Sequence, residues 1–219
     1  MSADPSAHEP TEPATRRGRE RYDRILNVAT DVFLEHGFEA ASMSEIGRRA
    51  GGSMATLYRF FSSKEALFQA IIERNAPPVY EPMEADGILQ QPPEEALFAL
   101  GMRLNELLLT RHSLLVHRVV LAEGHRNPAL REIFYRHGPG RTQAALAAYL
   151  REQVARGHLE IADCDAAAAQ FLELAKGEFS LSIMLGQPPD VDRARIEASV
   201  RQAVGIFLHG TAGSRSGTG

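Results

Sequence analysis

The chain holds a single cysteine, Cys164, so no disulfide can form within it, and a reducing cytoplasm is the simplest compartment. Cys164 itself reads as an ordinary residue at the start of a helix rather than a reactive thiol. No run reaches the roughly 18 consecutive apolar residues that a membrane-spanning helix needs, and even AALAAYLREQV is broken by charge. No membrane partner is therefore expected. The opening MSADPSAHEPTEPAT carries acids and prolines where a secretory signal needs a basic start and an apolar centre. It reads as a disordered arm. Catalytic motifs are missing as well: there is no HExxH, GxSxG or phosphate loop. The eight histidines give only loose pairs such as His112 with His117, five apart and off a common helix face, so no metal, cofactor or catalytic residue is expected. Strand-like alternation and internal repeats are absent too.

What is present is 44% hydrophobic over 219 residues, enough to bury a core in one or two domains. The net charge of −4 at first argues against a polyanionic partner, but it is unevenly spread. Residues 16–75 hold ten Lys and Arg against eight Asp and Glu, a net of +2, and the remainder carries −6. Arg16, Arg17, Arg19 and Arg21 cluster, and clustered basic groups bind a phosphate backbone even at a modest local excess. A solvated helix start is the plainer reading of the same cluster.

Ile25, Leu26, Ala29, Val32 and Phe33 recur at helical spacing, which predicts a helix from about Arg17 to His36, stopped at Gly37. A shorter helix follows from Met43 to Ala50, with Ser42 or Ser44 as its cap and Gly51 as its end. Ser53 caps a third through Phe60, and SSKE starts a fourth. Further on, PPVYEP and QQPPEE mark a boundary between residues 77 and 95. After it, Leu97, Leu100, Leu104, Leu107 and Leu108 form one stripe, and Leu114, Leu115, Val119 and Val120 begin the next. Asn127 and Pro128 open a short helix. A turn at Gly138 to Gly140 leads into another, Asp163 or Asp165 opens a long one to about Leu185, and Ile196, Val200, Val204 and Phe207 mark the last.

Met43 to Phe61 has the spacing of a helix-turn-helix: Gly47 is small where two helices cross, Gly51 makes the turn, and Leu57 and Phe60 anchor the second helix. With Leu57, Phe60 and Phe61 turned inward, Ala55 and Arg59 fall on the opposite side, flanked by Thr56 and Tyr58. That free face offers a small residue, a hydroxyl, a phenol and a guanidinium, which suits a DNA groove. Lys64, in the first turn of the next helix, is within reach of the same DNA backbone. A helical bundle that binds nothing is the alternative on geometry alone.

The segment ILNVATDVFLEHGFEAASMSEIGRRAGGSMATLYRFFSSKEALFQAII resembles the DNA-binding domain of the tetracycline-repressor (TetR) family, in its G-F-x-x-x-S step, I-x-x-x-A-G turn, T-L-Y-x-x-F core and S-K-E-x-L-F start of the fourth helix. The resemblance implies DNA contacts from Ser42, Met43 and Ser44, from Met54, Ala55, Thr56, Tyr58 and Arg59, and from Lys64. The basic cluster adds Arg16, Arg17 and Arg19. Family members often carry valine at Gly52 and lysine at Met54. The glycine forfeits roughly 1.5 to 3 kcal/mol of burial, so a looser turn is expected. Losing the lysine should lower the salt dependence by about one phosphate contact, for which the arginines at 16 to 21 are expected to compensate. The stretch HRVVLAEGHRNPALREIFYRHGPGRTQAALAAYLREQVARGHLEIADCDAAAAQFLELAKGEF is similar to the C-terminal domain of AefR-like repressors in the same family.

The resemblance implies an all-α fold. An N-terminal three-helix helix-turn-helix domain (16–62) follows the disordered arm (1–15). A fourth helix joins it to a C-terminal helical domain for ligand binding and dimerisation (63–209), ahead of a flexible tail (210–219). It also implies a homodimer on double-stranded DNA, and a repressor released from a palindromic operator by a small, largely apolar effector. A constitutive DNA-binding protein or an activator of the same fold is the alternative. Leu104, Leu108, Val116, His117, Val120, Phe134, Tyr149, Phe171, Leu174 and Phe179 are expected to line the effector pocket, with His117, Arg118, Glu123, Lys176 and Glu178 as polar groups near it, though apolar residues at this spacing are more often plain core. The last two helices are expected to pair across a two-fold axis through Phe171, Ile183, Ile196, Val200, Val204 and Phe207. The fourth helix, from Lys64 to Asn75, is the expected lever between pocket and DNA.

Overall fold

Side-chain oxygens open the first four helices. Thr15 Oγ1 accepts from the Gly18 N–H at 3.1 Å to start α1 (Arg16–Ala40). Ser42 Oγ accepts from Glu45 N–H at 3.2 Å ahead of α2 (Met43–Arg49). Ser53 Oγ accepts from Thr56 N–H at 3.2 Å ahead of α3 (Met54–Phe60), and Ser63 Oγ from Ala66 N–H at 3.1 Å at the start of α4 (Lys64–Asn75). Each cap satisfies a donor that the first turn leaves unpaired. The computed structural model describes residue 13 and residues 15–75, 87–185 and 191–210. Most of the expected arm and tail, and the PPVYEP boundary, lie outside those residues. A 3-10 turn (Ile88–Gln90) precedes α5 (Pro93–Leu108), α6 (Arg111–Glu123), α7 (Pro128–His137), α8 (Pro139–Ala155), α9 (Cys164–Lys176), α10 (Phe179–Met184) and α11 (Arg193–His209). No strand occurs among the described residues.

Three expected boundaries shift. Helical hydrogen bonding resumes after Gly37, so α1 extends to Ala40 across a break whose φ of 78° and ψ of 168° suit only glycine. The α8 helix begins at Pro139, inside the expected turn, because a proline at a first helical position sacrifices no hydrogen bond. The long helix expected to reach Leu185 is interrupted at Gly177, with φ 56° and ψ −149°. The positive φ favours glycine there, and an added Cβ would stand 2.6 Å from Ser199 Oγ of α11, a hydroxyl that would have to turn aside.

The chain divides into two compact units. The first comprises α1 to α4 with α6 and α7; the second comprises the 3-10 turn, α5, and α8 from Gly140 through α11. The packing thus cuts across the linear division at residue 62. Val116 and Val119 of α6 and Leu130 of α7 belong to the same buried cluster as the first four helices. That cluster is aromatic: Phe33, Phe38 and Phe68 meet with ring centroids 5.2 to 6.1 Å apart, and Tyr22 lies 5.7 Å from Phe60 and 4.9 Å from Phe61. Each such pair adds about 0.5 to 1.5 kcal/mol beyond its burial.

The second unit closes differently. At Gly101 of α5 an added Cβ would lie 2.6 Å from Val200 Cγ1 of α11, so these helices cross at close range. One turn on, the fully buried Asn105 donates through Nδ2 to the carbonyls of Gly101 at 2.9 Å and Ala175 at 2.8 Å, tying α5 to α9. Its Oδ1 has no partner.

Candidate nucleic-acid interface

Two short helices and a tight turn present the free face. Ala50 N–H bonds to Ile46 O at 2.9 Å, Gly51 at φ 70° reverses the chain, and Gly52 N–H closes the turn on Gly47 O at 3.2 Å. An added Cβ at Gly47 would be 2.9 Å from Met54 Sδ and 3.5 Å from Leu57 Cδ2, which is the close crossing expected of that position. Leu57 is 1% exposed and Phe60 7%, whereas Tyr58 on the other side is 52% exposed. Ala55 and Arg59 are exposed beside it. The Arg59 guanidinium stands 5.0 Å from the Phe60 ring centroid, a cation–π contact that orients it without consuming its hydrogen-bond donors. Thr56 is half-buried, its hydroxyl 2.9 Å from Ser53 Oγ. Met54, at 36% exposure, lies at the rim.

At the start of α2, Ser42 and Ser44 are exposed with their hydroxyls 3.1 Å apart, and Met43 packs half-buried against the core. Arg49 secures this helix to α1, reaching Glu35 at 2.6 Å and, within α2, Glu45 at 2.8 Å. The hydrogen bond that Arg49 donates to Glu35 raises its already high pKa. On α1, Arg17 and Arg19 are exposed, and Arg16 Nε donates to Glu20 at 3.0 Å.

Lys64 is placed differently from the sequence expectation. Its ammonium donates to the carbonyls of Glu39 at 3.0 Å and Ala41 at 3.2 Å, and it sits 4.7 Å from the Phe38 ring centroid. Two of its three donors are therefore spent on the end of α1. Gly52 also departs from the expected loose turn, because the Arg21 guanidinium occupies the space where a side chain would lie.

The ten residues expected to line a pocket are not gathered in one unit. Val116, His117, Val120 and Phe134 belong to the first unit, where the His117 and Phe134 rings meet edge-on at 5.2 Å. His117 Nδ1 is 2.7 Å from the Ser113 carbonyl, a contact in which the nitrogen donates. Leu104, Leu108, Tyr149, Phe171, Leu174 and Phe179 belong to the second, and all but the half-buried Leu174 are buried. The Tyr149 hydroxyl donates to Gln91 O at 3.3 Å, and burial pushes this phenol up to about 12. Among the polar groups, Arg118 is exposed, Lys176 pairs with Glu173, and Glu178 accepts from Arg195 Nε at 2.9 Å. That bond holds the Glu178 carboxyl below its usual range. Glu123 Oε1 lies 2.8 Å from where a Gly37 side chain would begin.

The residues expected at a dimer interface also need revision. Phe171, Ile183, Ile196, Val200 and Val204 are buried within their own chain, where they form its core; only Phe207 is half-buried, its ring 5.1 Å from that of Phe171. The exposed apolar side chains nearby are Leu181, Met184 and Leu185, which sequence reasoning missed because apolar periodicity does not separate core from surface.

Residues 25–71 match the family described as bacterial regulatory proteins, tetR family, and residues 95–210 match the AefR-like transcriptional repressor, C-terminal domain. The chain belongs to the TetR family. The proteins that this TetR-family chain resembles are transcriptional regulators. UidR of Escherichia coli (strain K12), an HTH-type transcriptional regulator, is 38% identical over 109 residues, covering 48% of this chain and 52% of UidR. The chain thus spans about half the length of the curated relatives it matches. A TetR-family regulator from Mesorhizobium loti superposes with a TM-score of 0.73 at 27% identity, over 89% of this chain and 97% of that one. The flavonoid-responsive regulator FrrA does so with a TM-score of 0.67 at 34% identity, over 86% and 95%. No described helix of this regulator is long and apolar enough to cross a membrane.

Proposed function

We propose that this TetR-family chain is a ligand-responsive repressor that leaves a partly palindromic operator when a small, largely apolar effector binds. The observation that carries the reading is the face of α3, where Ala55, Tyr58 and Arg59 project from a helix held behind by Leu57 and Phe60. A rigid backing with an outward phenol and guanidinium is what base-edge and phosphate contacts require. The C-terminal match to AefR-like repressors supports the sign of control. FrrA, named for its response to flavonoids, supports an effector with an extended apolar framework.

The protein acts as a homodimer, since a two-fold operator needs two recognition helices one DNA turn, about 34 to 36 Å, or a multiple of it apart. Exposed Leu181, Met184 and Leu185, on α10 and just beyond it, offer apolar side chains for a second copy to cover. Effector and operator are coupled by a free energy of about 1 to 3 kcal/mol, enough for about a five- to 150-fold change in DNA affinity.

Gel-shift against inverted repeats flanking the coding region tests this directly. Tyr58→Ala with Arg59→Ala should abolish the shifted band while the circular dichroism spectrum stays unchanged; retained binding would sink the reading. A screen of apolar compounds should find one that releases the DNA, and a protein that no compound releases would be the constitutive alternative. Sedimentation at micromolar concentration should show a dimer.

A further inference from the structure

Gly52 leaves room that another helix fills. A Cβ added there would stand 1.4 Å from Arg21 Nη2 and 2.5 Å from Arg21 Cζ, so the guanidinium from α1 lies in the volume the turn leaves free. Arg21 Nε is buried without a hydrogen-bond partner, and no carboxylate pairs with this side chain among the described residues. Beside it opens a recess of about 640 Å³, walled by Arg17, Arg21, Arg24 and Arg59, with Glu20 as the one acid among the described residues. The Glu20 carboxylate is already engaged by Arg16 at 3.0 Å. Four guanidiniums around one opening repel one another, and an anion seated among them relieves that repulsion. Their planar forks match the oxygens of a phosphate.

We infer that this recess grips a phosphate of the DNA backbone, with the Arg21 guanidinium as a direct phosphate contact and Gly52 as the seat that holds it. The inference rests on the reading of α3 as the DNA-reading helix, because Arg59 belongs both to its exposed face and to the wall of the recess. Arg21 and Gly52 act as a matched pair: a larger side chain at 52 displaces the guanidinium.

The test is fluorescence anisotropy of the full chain on a random-sequence duplex of about 30 base pairs, repeated across a range of KCl concentrations. Arg21→Gln should weaken binding about tenfold and flatten the slope of log affinity against log salt by about one. Gly52→Val should do the same, and the double variant should be no worse than either single one. Unchanged affinity and slope in Arg21→Gln, or additive losses in the double variant, would overturn the inference. If Arg21→Gln does not fold by circular dichroism, Arg21→Lys decides the matter: it should keep the slope and lose affinity through the missing fork, and full affinity would overturn the proposal. Inorganic pyrophosphate titrated by calorimetry forms a separate arm. Binding that depends on Arg21 with no effect on the DNA slope would make this a small-anion site instead. A wild-type protein that fails to bind the duplex at all would count against α3 as the reading helix, whereas affinity lost in Tyr58→Ala but kept in Arg21→Gln would overturn the recess alone.

Discussion

The two units solve the same problem, closing a helical core, with different materials. The first interlocks rings: Tyr22, Phe33, Phe38, Phe60, Phe61 and Phe68 fill the space among its helices. The second brings backbones together at Gly101, Ala175 and Val200 and secures them with one buried amide, Asn105. Large rings fix a helix from one side and leave its other side free, which is what α3 needs. Small residues let helices approach closely but make the packing sensitive to a single added carbon.

That contrast breaks most sharply in the first unit. Phe61→Ala should cost about 3 to 5 kcal/mol by urea unfolding, because the ring is fully buried against Tyr22 and Phe60. The second unit should respond to the opposite change. Gly101→Ala should cost about 1 to 3 kcal/mol, and Val200→Ala in the same chain should recover part of the loss, since the added carbon meets Val200 Cγ1. A double variant as unstable as the sum of its parts would remove close crossing as the explanation. Asn105→Ala should cost about 1 to 3 kcal/mol by removing the donor to two buried carbonyls.

A still smaller effect separates the units by pH. At neutral pH, Tyr149→Phe loses only a long hydrogen bond to Gln91 O, at most about 1.5 kcal/mol. Burial raises the Tyr149 phenol to about 12 in the folded chain, while the unfolded chain ionises near its ordinary value of about 10. The stability contributed by keeping the phenol neutral is therefore fully present below about pH 10 and is lost as pH rises toward 12. Unfolding midpoints between those values should fall less steeply in the phenylalanine variant than in the wild type.

How much of this was legible in the sequence follows from the range of each interaction. Ser42, Ser53 and Asn127 cap helices through bonds to N–H groups three residues on, so their roles could be read locally. The face of α3 was legible for the same reason, since seven residues at helical spacing decide which side chains turn inward. Lys64 was not, because its partners are carbonyls more than twenty residues earlier. Arg21 is separated from Gly52 by a whole helix and a turn, and the only local signal was a glycine where the family often has valine. Phe171 and Val200 read equally well as core or interface, and only their burial within the chain decides between them.

The return of α6 and α7 to the first unit has a practical consequence for protein engineering. A fragment cut after the fourth helix would strip Val116, Val119 and Leu130 from the cluster that contains Phe38, Ile71 and Ile72, baring an oily seam along the excised piece. Such a head would clump rather than stand alone. Chimaeras that exchange specificity between regulators of this kind should graft the α3 face alone, leaving the noncontiguous scaffold whole.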